Sequence, residues 1–272
     1  MRLHTALFLV LASTTALAGP KLYVFDCGAL YLDSAMLTAF SLKEDETPVR
    51  ELFVPCYVVE HEKGRLLWDA GLPLKAAEAH GERVTVDEFP MSYQRSIVDQ
   101  LADMKLTPAD IGYVAYSHLH FDHIGAASAF PGSTVLMQKA EWDFANGAGA
   151  KLMNPDSRAA IARQKLTIIE GDRDVFGDGS VRIVSAPGHT AGHQVLLVKL
   201  EKTGPVVLSG DLWHFRESRA MRRVPTFNFD AAETLKSMDR VEALVKDIGA
   251  TLWIEHEKAW GDTLEKAPGF YH

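Results

Sequence analysis

Two hydrophobic periods take turns along this chain. Short apolar runs bounded by Gly, Pro or Asp recur as "LYVFDCG" (22–28), "LFVPCYVVE" (52–60), "RLLWDAG" (65–71) and "IGYVAYS" (111–117). They return as "SVRIVSAPG" (180–188), "HQVLLVKL" (193–200), "PVVLSGD" (205–211) and "TLWIEH" (251–256). Runs of this length and boundary predict strands, and the turn "HEKG" (61–64) predicts that the second and third form a hairpin. Helical spacing shows elsewhere. Tyr93, Ile97, Leu101 and Met104 predict a helix with Ser92 as N-cap, and "QKAEWDFAN" (138–146) and "PDSRAAIARQ" (155–164) read as helical before "QKLTIIEG" (164–171) turns extended. A long helix is predicted from Asp230, with Asp-x-x-Glu233 as a capping box and Leu235, Met238, Val241, Val245 and Ile248 as its inner face. Gly249 stops it.

Strands and helices thus come in two halves of similar rhythm, which predicts sheets packed inside and helices outside. No repeat, low-complexity tract or Pro/Ser linker divides the chain. The first residues, "MRLHTALFLVLASTTALA", differ from the rest. A basic start, an apolar stretch and Ala16-Leu17-Ala18 read as a signal peptide over 1–18, leaving one domain over 19–272 and a periplasmic or secreted location. No later segment is apolar enough to span a membrane.

Composition narrows the partners. The formal charge of −8 makes nucleic acid an unsuitable one. The two cysteines, Cys27 and Cys56, sit in neighbouring strand-like runs. In an exported protein they suit a disulfide, and they equally suit two small core residues.

The chemistry concentrates in "SHLHFDHIG" (117–125), directly after an apolar strand. On an extended segment His118 and His120 point the same way and can grip one ion, while a turn at Phe121 lets Asp122 and His123 address a second. With 11 histidines in 272 residues, chance places three His at these offsets in roughly two chains per hundred. Three more donors end apolar strands: His189 in "GHTAGH", Asp211 in "VVLSGD" and His256 in "LWIEH". Seven nitrogen and oxygen donors without a thiolate describe a catalytic metal pair better than a closed structural staple.

The motifs "SHLHFDHIG" and "GHTAGH", with Asp and His at strand ends, resemble the metallo-β-lactamase superfamily. Phe121, "LLWDAG" and "MQKAEW" are most similar to its N-acyl homoserine lactonase branch. The resemblance covers nearly the whole of 19–272 and implies an α+β, αββα sandwich with two Zn2+ per chain between the sheets, other divalent metals being tolerated. It implies that His118, His120 and His189 hold one ion, that Asp122, His123 and His256 hold the other, and that Asp211 bridges. A hydroxide between the ions would open a lactone ring, with Asp122 as the catalytic proton carrier and Phe121 touching the substrate. Dimers are common in the branch, so a homodimer is an open expectation.

Lactonases of the branch often carry Tyr three residues after the bridging Asp. Here His214 stands there, either a catalytic and substrate-binding donor or a plain loop residue. Its neighbours in 213–229 read as an acyl-pocket wall or as a solvated loop. His193 reads as a packing partner of a ligand, Asp69 as a carboxylate holding a ligand histidine or a turn residue, and His61, His80 and His272 as solvent-facing. A β-lactamase, which generally lacks the bridging Asp, and a glyoxalase-like thioesterase are the alternatives within the fold. A di-iron redox protein would carry Glu where this chain has His120, and a non-catalytic zinc protein would turn over nothing.

Overall fold

The computed structural model describes residues 19–150 and 153–272; the predicted signal segment lies outside the described residues. The first sheet takes β1 (Lys21–Tyr31), β2 (Glu51–His61), β3 (Gly64–Trp68), β4 (Val84–Val86), β5 (Phe89–Ser92), β6 (Tyr113–Ala115), β7 (Thr134–Gln138) and β8 (Lys165–Ile169), in the order β4-β5-β1-β2-β3-β6-β7-β8. The second takes β9 (Arg173–Asp174), β10 (Val181–Ser185), β11 (Gln194–Leu200), β12 (Gly204–Leu208) and β13 (Thr251–Trp253), in the order β13-β12-β11-β10-β9. Between them run α1 (Ser34–Ala39), α2 (Leu74–Ala77), α3 (Ile97–Asp103), α4 (Phe121–Ile124), α5 (Lys139–Asn146), α6 (Pro155–Arg163), α7 (Arg216–Met221), α8 (Ala231–Ile248) and α9 (Lys258–Gly261).

Side-chain alternation builds the layers. Leu22 and Val24 of β1 join Tyr57, Val59 and Trp68 in a core shared with Ile183, Leu196, Val198 and Leu208 of the second sheet, whereas Tyr23 and Phe25 face Ile97, Leu101 and Ile161 on the opposite side. On the far face of the second sheet Val184, Val195 and Leu197 pack on Met238 and Val241 of α8. Helix, sheet, sheet, helix is the αββα sandwich.

The β2–β3 hairpin, α5, α6 and β8 form where the pattern places them. The helix expected behind Ser92 is shorter. Ser92 pairs with Ala29 in β5, so its backbone stays extended, and Ser96 becomes the N-cap by accepting from Asp99 N. Tyr93 lies before the helix, its hydroxyl accepting from Ile97 N at 2.6 Å. At Asp230 only half of the capping box forms: Asp230 accepts from Glu233 N, while Glu233 pairs with Lys236 and Asp230 N donates to Gly188 O. His61 is not solvent-facing. It is buried at the end of β2, stacked on Phe176 at 4.3 Å with Nε2 2.8 Å from Asp178 Oδ2. His80 is exposed, and His272 is partly so.

Cys27 and Cys56 form a disulfide across β1 and β2, Cα atoms 5.7 Å apart. Gly71, at φ 63°, lies directly over it: a Cβ there would stand 2.3 Å from Cys27 Cβ, so only glycine fits. Among the described residues no helix is long and apolar enough to cross a membrane.

Candidate metal centre

Every donor named from the sequence lies just past the C-terminal end of a strand. Asp69 follows β3, the 117–123 segment follows β6, His189 follows β10, Asp211 follows β12 and His256 follows β13. β3 pairs in parallel with β6, and β12 with β13, so these ends open on one edge, where sheet ends build sites.

The donors divide into two groups. His118, His120, His189 and Asp211 form one, and Asp122, His123 and His256 the other. His189 Nε2 lies 3.2 Å from both His118 Nε2 and His120 Nδ1. The edge of a tetrahedron with nitrogen ligands at about 2.05 Å is about 3.3 Å, so the spacing fits a bound divalent ion. Asp211 faces both groups. Its Oδ2 lies 3.3 Å from His189 Nε2, and its Oδ1 lies 3.0 Å from His256 Nε2 and 3.3 Å from His123 Nε2. His123 Nε2, His256 Nε2 and Asp211 Oδ1 are buried without a hydrogen-bond partner. Orphaned buried donors of this kind are costly unless something binds them, and a cation does.

In four of the five rings the protein holds the opposite nitrogen and so aims the free one inward; His118 Nδ1 lies 3.0 Å from Ser117 Oγ. His256 Nδ1 donates to Phe53 O at 2.8 Å, His189 Nδ1 lies 2.9 Å from Asn228 Oδ1, and His123 Nδ1 lies 3.0 Å from Asp69 Oδ2. Asp69 also accepts from Ser117 N at 2.6 Å. It sits at φ 56° in the left-handed region, a conformation Asp tolerates and functional turns exploit. His193 holds Asp211: its Nε2 accepts from Asp211 N at 2.9 Å while Nδ1 donates to Ala186 O.

Sequence spacing gave no sign of Asn228 or of Glu141. Glu141 sits in the first turn of α5 and is buried; its oxygens accept from Leu119 N at 2.9 Å and Gly192 N at 2.8 Å. Both partners are backbone amides far away in the chain, which no local pattern encodes.

Electrostatics split the rings. Burial, helped by neighbouring imidazoles, keeps His118 and His120 deprotonated well below the ordinary range. Burial opposes charge on His256 too, but Asp211 and Asp122 outweigh it and raise its pKa to about 9. His123 is raised likewise against burial by Asp211, Asp122 and Asp69. Asp211, despite burial, is held well below the carboxylate range by His214, His256 and His123. Burial lowers His193 to about 3 and His214 to about 4, the latter against the pull of Asp211.

Beside the donors opens a cavity of about 430 Å³ lined by Leu30, Met36, Phe40, Phe89, Phe121 and Phe227, among others, with His214 and Asp122 at its floor. Phe121 stacks on Phe89 at 4.4 Å. Of the 213–229 stretch, Trp213 and Phe215 are buried anchors and Phe227 is a cavity wall, while Arg216, Arg219, Arg222 and Arg223 pair with Glu257, Glu242, Asp239 and Glu46. Wall and solvated loop thus coexist.

Comparison with known proteins agrees. The family model of the metallo-beta-lactamase superfamily matches residues 49–248. An N-acyl homoserine lactonase of a Bacillus species is 32% identical over 244 residues, covering 87% of this chain and 93% of the relative. The N-acyl homoserine lactonase AttM of Azorhizobium caulinodans is 28% identical over 261 residues, covering 92% and 98%. A solved N-acyl homoserine lactone hydrolase, with the product N-hexanoyl-L-homoserine at its catalytic metal center, superposes with a TM-score of 0.78 at 28% identity, covering 93% of this chain and 99% of its own.

Proposed function

The chain belongs to the metallo-beta-lactamase superfamily, on its N-acyl homoserine lactonase branch, and on that footing we propose that it opens the lactone ring of N-acyl homoserine lactones with two bound zinc ions. One observation carries the reading: Asp211 faces two separate groups of aimed imidazoles at the floor of an apolar cavity. His118, His120 and His189 would hold one ion, Asp122, His123 and His256 the other, and Asp211 both. Bound there, the ions would supply Lewis acidity and lower the pKa of water toward neutrality.

The chain's own groups do the rest. The apolar walls accept an acyl chain and exclude water around the ring, with Phe121 at the turn between the two donor groups. As water oxygen bonds to the carbonyl carbon, Asp122 takes its proton. As the ring C–O bond breaks, Asp122 returns that proton to the departing oxygen, which leaves as an alcohol. The product carboxylic acid ionises, so turnover releases acid. The His214 ring lines the cavity, but its Nε2 lies 2.9 Å from Asp211 Oδ2. A neutral imidazole has one N–H, and Asp211 takes it, so His214 orients the bridging carboxylate and leaves the substrate carbonyl to other groups.

The same cavity argues against the rival hydrolases. β-Lactams and glutathione thioesters carry carboxylates, and among the described residues no Lys or Arg lines it. We also propose export of the mature chain, on the strength of the N-terminal segment and of the disulfide, a bond kept in oxidising compartments. Acid release from a long-chain N-acyl homoserine lactone by the zinc-loaded protein, abolished in Asp122→Asn, tests the activity. Release from a β-lactam or thioester in its place would redirect it.

A further inference from the structure

A buried carboxylate outside the seven donors is left unexplained by the reaction. Glu141 is 1% exposed, and among the described residues no Lys or Arg pairs with it. Keeping an unpaired carboxylate out of water is costly, and this one gains two backbone amides in return.

The identity of those amides is informative. Leu119 lies between His118 and His120, so Oε1 grips the turn that aims both rings. Gly192 lies three residues after His189 and one before His193, whose ring holds Asp211 N, so Oε2 grips the second loop. One side chain therefore ties together the two segments that supply all three histidines of the first group. The loops meet tightly. A Cβ on Gly192 would stand 2.4 Å from Glu141 N and 2.6 Å from Glu141 Cβ, which explains the second glycine of "GHTAGH". Glu141 makes no hydrogen bond to Asp122, His123 or His256; the rings of His123 and His256 are held by Asp69 and Phe53 O.

We infer that Glu141 is the positioning residue of the first metal group, clamping the His118–His120 turn to the His189 loop so that the three nitrogens stand at ion-binding distance before any ion arrives. This rests on the metal reading of the site.

The test uses Co2+ titrated alone into the full metal-free protein, with chelator competition and visible absorption. The wild type is expected to bind two ions in resolvable steps. In Glu141→Gln the side chain keeps its shape but offers one oxygen and an N–H2 to two amide donors. The step that His118→Ala abolishes should weaken about 10- to 100-fold, with an altered cobalt band, while the step that His256→Ala abolishes stays put. Gly192→Ala, which forces the same contact apart from the other side, should reproduce the effect if Glu141→Gln folds poorly. Equal weakening of both steps, paralleled by a lower unfolding midpoint of the metal-free protein, would mean a general structural role and overturn the inference. So would two unchanged steps. A wild type that binds no cobalt would overturn the metal reading itself, a different result.

Discussion

Asp69 Oδ2 lies 3.0 Å from Nδ1 of His123, and the same carboxylate accepts from Ser117 N at 2.6 Å. One buried group thus fixes the orientation of a second-group histidine and anchors the strand end that begins the motif. Asp69→Asn keeps the shape but replaces one acceptor oxygen with an N–H2. We expect affinity for the second ion to fall about 10- to 100-fold, with the first ion nearly unaffected. Equilibrium dialysis of the variant against limiting zinc reads this directly, and two ions retained at wild-type affinity would remove Asp69 from the centre.

Metal uptake should release protons. In the metal-free protein the His256 pKa of about 9 means the ring is charged at pH 7, and His123 is raised in the same direction. A ligand imidazole must be neutral, so loading at pH 7 expels protons from this group, fewer as pH rises through about 9. The stability sign follows. A folded pKa above the unfolded value of about 6.5 contributes fully below that pH and is lost as pH climbs through about 9. The metal-free protein therefore becomes less stable across that window as its affinity for metal grows. A pH-stat titration with zinc chloride at pH 7 and at pH 9.5 compares the proton counts, and equal counts would contradict the charge assignment.

The seven donors were legible because strand ends and one nine-residue motif fix them locally: period-two spacing aims His118 and His120 together, and apolar runs flag where His189, Asp211 and His256 must emerge. What holds them was largely illegible. Glu141 and Asn228 act across 22 and 39 residues on amides and rings, and such pairings leave no periodic trace. The part of the cavity wall outside Phe121 and 213–229 was hidden for another reason. α1 with its C-cap Phe40, and the β4–β5 ribbon, which supply Met36, Phe40 and Phe89, are elements of a few residues stabilised by packing rather than by pattern. Ser92 misled because hydrophobic spacing fits a helix there equally well, and pairing with Ala29 decides otherwise.

His214 should act through Asp211. His214→Ala removes the donor 2.9 Å from Oδ2; a hydrogen bond to a charged group is worth about 1.5–3 kcal/mol, so kcat should fall about 10- to 100-fold. KM for the lactone should hardly move. His214→Gln, which can present an N–H at similar reach, should recover most of the loss. A rise in KM with kcat intact would instead place the ring on the substrate.

Closing a loop of 29 residues, the Cys27–Cys56 bond should stabilise the fold by about 3–4 kcal/mol on the chain-entropy account. Gly71, packed over it, also accepts from Gly125 N at the end of the metal motif, so the cross-link backs the segment carrying Asp69. Urea unfolding of the wild type with and without reductant, beside the Cys27→Ala/Cys56→Ala double variant, measures the effect. A wild-type midpoint indifferent to reductant would mean the bond adds nothing.

Chain-length preference should reside in Phe227. It lines the cavity yet remains 47% exposed, and it packs edge-on against Phe40 at 5.3 Å, so it forms the outer wall rather than the floor. Its inner edge packs near His189 at 5.9 Å and His214 at 6.2 Å, so its exposed edge is the part a long acyl chain would cover and a short one would not. Trimming it to Ala removes apolar area that a decanoyl tail would cover, at about 25 cal/mol per Å²; with half the side chain already in water, the loss is on the order of 1 kcal/mol. Phe227→Ala should therefore raise KM about five-fold for decanoyl homoserine lactone and leave the butanoyl compound unchanged. Initial rates of acid release with the two substrates separate the cases, and a uniform loss on both would put the acyl tail along another wall.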